Sequence, residues 1–444
     1  MPEPFTDSAT SPLPEAGEAG PEVAIVGAGP AGLLLGLLLG QRGRRVLLIE
    51  REPAPEPSPG NGICPILQPA TLGVLDGLGL LPDLAKNTTP VTHGEVSAGG
   101  STVAAYAYAD LPAAPVAYAL PVSITQLRDV LTDAVRRTPG VDIVYEATVH
   151  GLPERDGEDP GLRGVRLETG EGTRTLHPSL VVGCDGKRSA VREMAGISSE
   201  VKAFPRGYLE LRVPMPAFWG GVMRAFFTAD GYMLGTPIAD GQLLFVWITG
   251  PEQAERATGG ELSALVDRYA EGVPEAADWI RAHTHGWDQI REFPHHIVRP
   301  ERWVAGNVLL VGDSAHGVHV YGGQGLNLSL QDAACLAEAC DEALARSDSA
   351  PLKRFEQKRR PFVSAFQDMQ EAHLRALAAR NPQGGGQSSG SGDPSSGSGN
   401  PSSGSGDRSS GGGGHLPDFA PLALGQPEIR ETLARAAHLP GPGR

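Results

Sequence analysis

The chain has 444 residues, 40% of them hydrophobic and 20% charged, with a formal net charge of -15. That length exceeds what one hydrophobic core fills, so two or more packed modules of an ordinary soluble protein are expected. The acidic balance argues against a nucleic-acid binder, whose footprint is a basic stripe, and against anionic membrane surfaces.

Residues 1–20 are acidic and rich in Pro, Ser and Ala, with no basic n-region and no apolar run. They read as a disordered tail, not a signal peptide. Residues 22–26 form a short apolar strand, followed by a Gly-rich turn and an apolar helix through Leu39. Residues 45–50 form a second buried strand, which completes a βαβ unit. The apolar run 32–40 is far shorter than the roughly 20 residues a bilayer span needs, so it reads as a buried helix. Helices are predicted over 69–80 and 124–137, and strands over 141–150, 164–168 and 180–183.

From about 202 to 298 the character changes. Strand-like segments at 208–213, 222–228 and 243–248 and dense aromatics predict a separate mixed β-sheet domain, joined by the strand-like stretch 94–107. Residues 307–311 return to a buried parallel-type strand, and 326–344 to a helix. A long helix follows over 351–380, which Pro361 is expected to kink or break. The tract 383–414 carries the tandem heptads DPSSGSG and NPSSGSG and reads as a flexible linker. In the terminal stretch 415–444, residues 427–439 form a short amphipathic piece that docks on the body or on a partner, or else belongs to a mostly disordered tail. The four cysteines, Cys64, Cys184, Cys335 and Cys340, contain no CxxC pair, so a zinc site is not expected and a reducing compartment fits. With arginine favoured over lysine and abundant Ala, Gly and Pro, the composition suggests a GC-rich bacterial genome and a cytoplasmic location.

Gly27-Ala28-Gly29-Pro30-Ala31-Gly32 is a GxGxxG between a strand and a helix. Gly27 permits the tight turn, Gly29 lets backbone approach a pyrophosphate, and Gly32 allows close helix–strand packing. The helix N-terminus, which opens with Pro30 and Ala31, offers the free N–H groups of its first turn after the proline and a positive dipole end to phosphates. Glu50, with Arg51 beside it, ends the second strand, where a carboxylate accepts ribose hydroxyls. Asp313 follows another apolar strand, at the end where α/β sheets place ligands, and a carboxylate there can accept a polyol hydroxyl. The Gly322–Gly325 run opens a helix beginning at Leu326 and Asn327, so its N–H groups can face an electron-rich carbonyl. Asn327 can add a polar contact from the first turn.

Three motifs in order carry a resemblance. The GxGxxG is followed by Val182-Gly183-Cys184-Asp185-Gly186-Lys187-Arg188-Ser189-Ala190-Val191-Arg192, which resembles the DG motif of FAD-dependent aromatic hydroxylases, the para-hydroxybenzoate hydroxylase type of flavoprotein monooxygenase. Gly312-Asp313-Ser314-Ala315-His316, with Gly322-Gly323-Gln324-Gly325-Leu326-Asn327 and Gln331-Asp332-Ala333 after it, resembles their GD motif. The resemblance covers residues 21–380. It implies an α/β, doubly wound Rossmann-like FAD-binding domain in two parts (21–200 and 299–382, the latter with C-terminal helices) around a mixed β-sheet substrate domain (201–298).

It implies FAD and NAD(P)H as cofactors, and a small aromatic or polyketide-like substrate and O2 as partners. No nucleic acid or membrane is involved, and the protein works as a monomer or homodimer. By the resemblance, NAD(P)H would reduce the flavin, O2 would add to it, and a C4a-hydroperoxide would pass oxygen to an electron-rich ring, so no protein nucleophile is expected. Asp185 and Gly186 belong to a loop that supports FAD. Arg188 and Arg192 are either phosphate partners or surface arginines. Gln126, favoured over Arg128, lies in the segment whose polar side chains reach FAD.

Two departures from the pattern stand out. Val320 replaces the usual proline, and Asn61 and Gly62 lie where relatives often carry an arginine. His295, His296, His316 and His319 suit no standard zinc spacing and read as structural or surface groups. No G-x-S-x-G elbow supports a hydrolase, and the WxWxIP signature of a flavin halogenase is absent. Tyr208, Phe226, Tyr232 and Trp247 are either pocket walls or core, and Tyr321 is a stronger active-site candidate. Natural-product tailoring is the preferred role. A catabolic phenol hydroxylase, a reductase or dehydrogenase of related fold, and a non-catalytic flavin-binding protein are the alternatives.

Overall fold

The structure, a computed structural model, describes residues 20–55, 63–86, 88–98, 100–154, 163–228, 231–379, 426 and 429–437. The tail 1–19, Asn61 and Gly62, and the Gly/Ser tract lie outside them. The first buried strand, Val23–Val26, sits mid-sheet in a six-stranded sheet. Val46–Ile49 and Val141–Val144 flank it on one side, and Leu180–Gly183, Val308–Leu310 and Val304–Ala305 on the other. All pairings are parallel except the last. The continuous apolar runs follow from burial on both faces. The helix Pro30–Gly40, apolar nearly all round, lies under this sheet against the helix Gly325–Arg346. The sheet is therefore the doubly wound FAD-domain type that the order of motifs implies.

A seven-stranded sheet stands beside it. Its order runs Ile290–Pro300, Ser199–Pro214, Gln242–Ile248, Gly231–Ile238, Val222–Thr228, His93–Ala98, Ser101–Ala107. It is mixed, because Val222–Thr228 pairs parallel with His93–Ala98, and that pairing stitches the early segment into the later sheet. Strand alternation divides its two faces. Leu209, Leu211, Phe226, Phe245 and Trp247 form one core cluster with the helices Leu262–Gly272 and Ala277–His283. Tyr208, Glu210, Leu234 and Val246 face the opposite way, toward a cavity shared with the Gly-rich turns. Phe226 and Trp247 are thus core, whereas Tyr208 and Tyr232 line the cavity.

Two local expectations are corrected. The stretch 141–150 is not one strand: it breaks after Val144, where Glu146 takes a left-handed φ of 53°, and Thr148–Gly151 joins a separate three-stranded sheet. Pro361 does not break the long helix, which runs unbroken over Ala350–Ala379. Pro361 and Gln357, whose carbonyl loses its N–H partner, both lie on the solvent face. The opposite face, with Phe355, Val363 and Phe366, is buried and holds the helix together. At the C-terminus, the helix Arg430–Ala437 docks on the body. Ile429, Leu433 and Ala436 enter the main core against Pro69–Gly77 and Gly325–Arg346. No described helix is long and apolar enough to cross a membrane.

Candidate active site

The two Gly-rich turns and the inner face of the large sheet enclose a cavity of about 760 Å³. The first turn is shaped by contact. Gly27 has φ +104°, and a Cβ there would lie 2.5 Å from the Cys184 carbonyl oxygen. A Cβ on Gly32 would overlap the Gly27 carbonyl. Gly29 differs: its backbone is extended and nothing lies within 4 Å of where a side chain would point. It opens the helix Pro30–Gly40, whose N-terminus has no side-chain cap, so free N–H groups face the cavity. Gly29, Pro30 and Ala31 line the cavity. The backbone N–H groups of Ala28 (2.8 Å) and Glu52 (3.0 Å) donate to the two Glu50 carboxylate oxygens, which fixes that carboxylate at the turn. Arg51 is 76% exposed and pairs with Glu52 instead of pointing inward.

The Asp185 loop and the Asp313 loop are bolted together. Asp185 accepts the Val191 N–H and the Ser314 hydroxyl, while the Gly186 N–H donates to Ser314 Oγ at 3.0 Å. Arg192 is buried, not a surface group, and donates to the carbonyls of Ser314 and Lys187, so it ties the two loops together. Arg188 is exposed. Gly186 and Asp313 line the cavity, and Lys187 Nζ stands 3.9 Å from the Asp313 carboxylate. Gly322 and Gly323 take φ of +87° and +63°, with open space beside Gly323. This backbone leads into the Gly325–Arg346 helix, whose N-terminus also lacks a side-chain cap. Gly323, Gly325 and Leu326 line the cavity.

Two sequence candidates stand elsewhere. Asn327 is fully buried, with its amide spent on the Gln68 N–H and the Ile66 carbonyl, so its side chain fixes the short strand Ile66–Leu67. The Gln126 amide donates to the carbonyls of Asp83 and Leu84, outside the cavity wall. Its neighbour Arg128 holds a buried Nε with no partner among the described residues.

The fold gives places to residues that the sequence left unassigned, such as Gln370, or read only as structural or surface groups, such as His295 and His319. His295 and His319 sit in the wall, 5.3 Å apart between ring centres, and Lys187 Nζ lies 3.2 Å from His295 Nε2. Burial, and then the Lys187 charge, push His295 down to about 2 and His319 to about 3, so both rings are neutral and His295 accepts from the lysine. Gln370, on the long helix, bonds the His319 N–H and the His319 and Tyr321 carbonyls. It thereby pins the loop around Val320. Tyr321 stacks on His373 and packs against Tyr232 behind the wall. His316 bonds Asp332, which Arg359 also holds at 2.7 Å; Arg359 in turn reaches Gln331 and Gln426. Burial alone would raise the Asp332 carboxyl; Arg359 and His316 more than offset it and keep it low. Among the described residues no His/Cys/Asp/Glu group suits a metal.

A family model described as FAD binding domain matches residues 21–370. The chain belongs to the family of FAD-dependent, aromatic-hydroxylase-type monooxygenases. It is 30% identical to protoasukamycin 4-monooxygenase of Streptomyces nodosus subsp. asukaensis, over 80% of this chain and 88% of that one. It is also 30% identical to 6-methylpretetramide 4-monooxygenase of Streptomyces rimosus, over 76% and 79%. The fold superposes on Pseudomonas aeruginosa PqsL in complex with 2-aminobenzoylacetate with TM-score 0.72 at 26% identity, covering 81% of this chain and 97% of PqsL. The protein is an FAD-dependent monooxygenase.

The residues fit the cofactor. Gly29 leaves room for a pyrophosphate, two uncapped helix N-termini face the cavity, and Arg128 holds an orphan donor.

Proposed function

We propose that this monooxygenase hydroxylates a polycyclic or polyketide-like aromatic in natural-product biosynthesis, with NAD(P)H as reductant. The observation that carries the reading is the single cavity running from the Gly29 turn to the inner face of the seven-stranded sheet. One end has the backbone donors a dinucleotide needs, and the other is mostly apolar and wide. The two Streptomyces relatives, whose names denote monooxygenases, support the same reading.

In this reading Gly27, Gly29, Pro30, Ala31 and Gly32 cradle the pyrophosphate, and Glu50 accepts the ribose hydroxyls. Beyond Glu50 the adenosine end has Arg128 Nε as a free donor, while Arg51 stays on the surface and Gln126 braces the carbonyls of Asp83 and Leu84. Asp313 takes a ribityl hydroxyl. The Asp185–Gly186 loop supports this wall through Ser314. Gly323, Gly325 and Leu326 present helix N–H groups to the electron-rich edge of the ring system, and Asn327 keeps that turn in register.

Bound FAD supplies electron transfer from NAD(P)H and activation of O2. The chain supplies placement and a dry pocket: Ile66, Leu234, Leu244 and Val246 exclude water from the reacting faces. His295 stays neutral and accepts from Lys187, which keeps that ammonium beside Asp313. The test is turnover of a panel of polycyclic phenols with NADH or NADPH under labelled O2. The reading requires one labelled oxygen atom in the product, and a hydroxylated product whose new oxygen carries no label would overturn it.

A further inference from the structure

The far wall of the cavity holds a group that the proposed chemistry does not use. Glu210 lies on the strand Ser199–Pro214, on the face that lines the cavity, and is 2% exposed. Its neighbours in the wall are Tyr208, Thr236, Leu244 and Val246. The Arg212 guanidinium donates to Oε2 at 3.3 Å, the one side-chain bond to this carboxylate among the described residues. A carboxylate with a single long bond in an apolar wall is costly unless something else donates to it. Burial raises the Glu210 carboxyl; Arg212, and then Arg291, which stands opposite Glu210 on the neighbouring strand, work against that rise.

The balance of charge along the wall points the same way. Among the described lining residues the acids are Glu95, Glu210 and Asp313, and Lys187 is the one cation. That cation is committed near the glycine turns, between Asp313 and His295. Glu95 is held by Arg224 at 3.0 Å. No arginine lines the cavity among the described residues, so a substrate carboxylate would meet no guanidinium and would face Glu210 across an apolar space.

We infer that Glu210 is a specificity-determining anchor that accepts an O–H or N–H of an uncharged or cationic aromatic substrate and rejects aromatic carboxylates. The inference rests on the function proposed above and narrows its substrate class. A phenol, aryl amine or amide N–H completes the bonding of Glu210. An anion of the same size gives Glu210 no donor beyond Arg212 and adds repulsion.

The test uses the full chain loaded with FAD and two probes of similar shape, 2-naphthol and 2-naphthoate. Each is titrated while the flavin absorbance is followed. The expected result is at least tenfold tighter binding of naphthol by the natural protein, with that ratio reduced severalfold or more in Glu210→Gln. A purely structural role for Glu210 would change both affinities together and leave the ratio alone. Naphthoate binding as tightly as naphthol, naphthol giving no perturbation, or an unchanged ratio in the variant would each overturn the inference. Flavin content and NAD(P)H-dependent O2 consumption of the same preparations separate the two readings: if both persist, the substrate class alone is wrong, and if both are lost, the monooxygenase reading fails.

Discussion

Glu50 ends its strand with both carboxylate oxygens held by backbone N–H groups of Ala28 and Glu52. The same carboxylate therefore shapes the turn and presents lone pairs to a ribose. Glu50→Ala removes two charge-assisted bonds of the kind worth about 1.5–3 kcal/mol each and the ribose acceptor besides. FAD affinity is expected to fall by a factor of about 10–100, since about 1.4 kcal/mol is tenfold. Titration of apoprotein with FAD, followed by flavin fluorescence, measures it, and an unchanged Kd would remove Glu50 from the site. At this scale the glycines were legible in the sequence because each answers a local steric demand. Asn327 and Arg192 were not, because their side chains meet groups far away in the chain, such as Gln68 and Ser314. No spacing rule shows that an amide in a helix's first turn is already committed to a strand.

Among the elements, the C-terminal helix Arg430–Ala437 was the least decided by its sequence, since an eight-residue amphipathic helix has little stability alone. Packing settles it. Leu433 sits in the main core, Arg435 pairs with Glu338 at 3.0 Å, and Gln426 accepts from the buried Arg359. Because Arg359 also holds Asp332, and Asp332 holds His316, the helix is connected to the loop of Asp313. Ending the chain after residue 425 is expected to lower stability by several kcal/mol, and Leu433→Ala alone by about 2–3 kcal/mol. Chemical denaturation of the three proteins checks both figures; equal stabilities would mean that the helix does not dock in solution. The long helix teaches the converse lesson. Proline is read from sequence as a breaker, but on a solvent face the freed carbonyl is hydrated, and the buried opposite face holds the helix through it.

For the molecule as a whole, the parallel sheet and the order of the three glycine motifs were legible from the chain, because parallel strands buried on both faces write continuous apolar runs. The shape of the second sheet was less so. Its strand order depends on the pairing of His93–Ala98 with Val222–Thr228, more than a hundred residues apart. Glu210 and His295 reach one cavity through the antiparallel pairing of Ser199–Pro214 with Ile290–Pro300, a contact that spacing along the chain does not show, which is why Glu210 did not stand out and the histidines read only as structural or surface groups.

The two histidines give the molecule an acid sensitivity with a definite sign. Their folded values, about 2 and about 3, lie below the ordinary 6.5, so the unfolded chain binds more protons between those limits. Their contribution to stability is complete above pH 6.5 and is lost as pH falls toward 3. Between pH 6.5 and 5, above the range of ordinary carboxylates, unfolding free energy is expected to fall by on the order of 1 kcal/mol per pH unit. The double variant His295→Gln, His319→Gln should flatten that slope, and an identical slope would mean that the rings are not buried as neutral groups.

The central claim is that the Gly29 turn holds the pyrophosphate of FAD. Gly29 has an extended backbone and empty space where a side chain would go, so Gly29→Val fits the fold without strain while filling the phosphate's place. The measurement is flavin stoichiometry after reconstitution, together with thermal stability of the unloaded proteins. The account predicts one FAD per chain in the natural protein, and none in Gly29→Val at an unchanged Tm. A natural protein that binds no FAD, or a valine variant that retains it, would contradict the account.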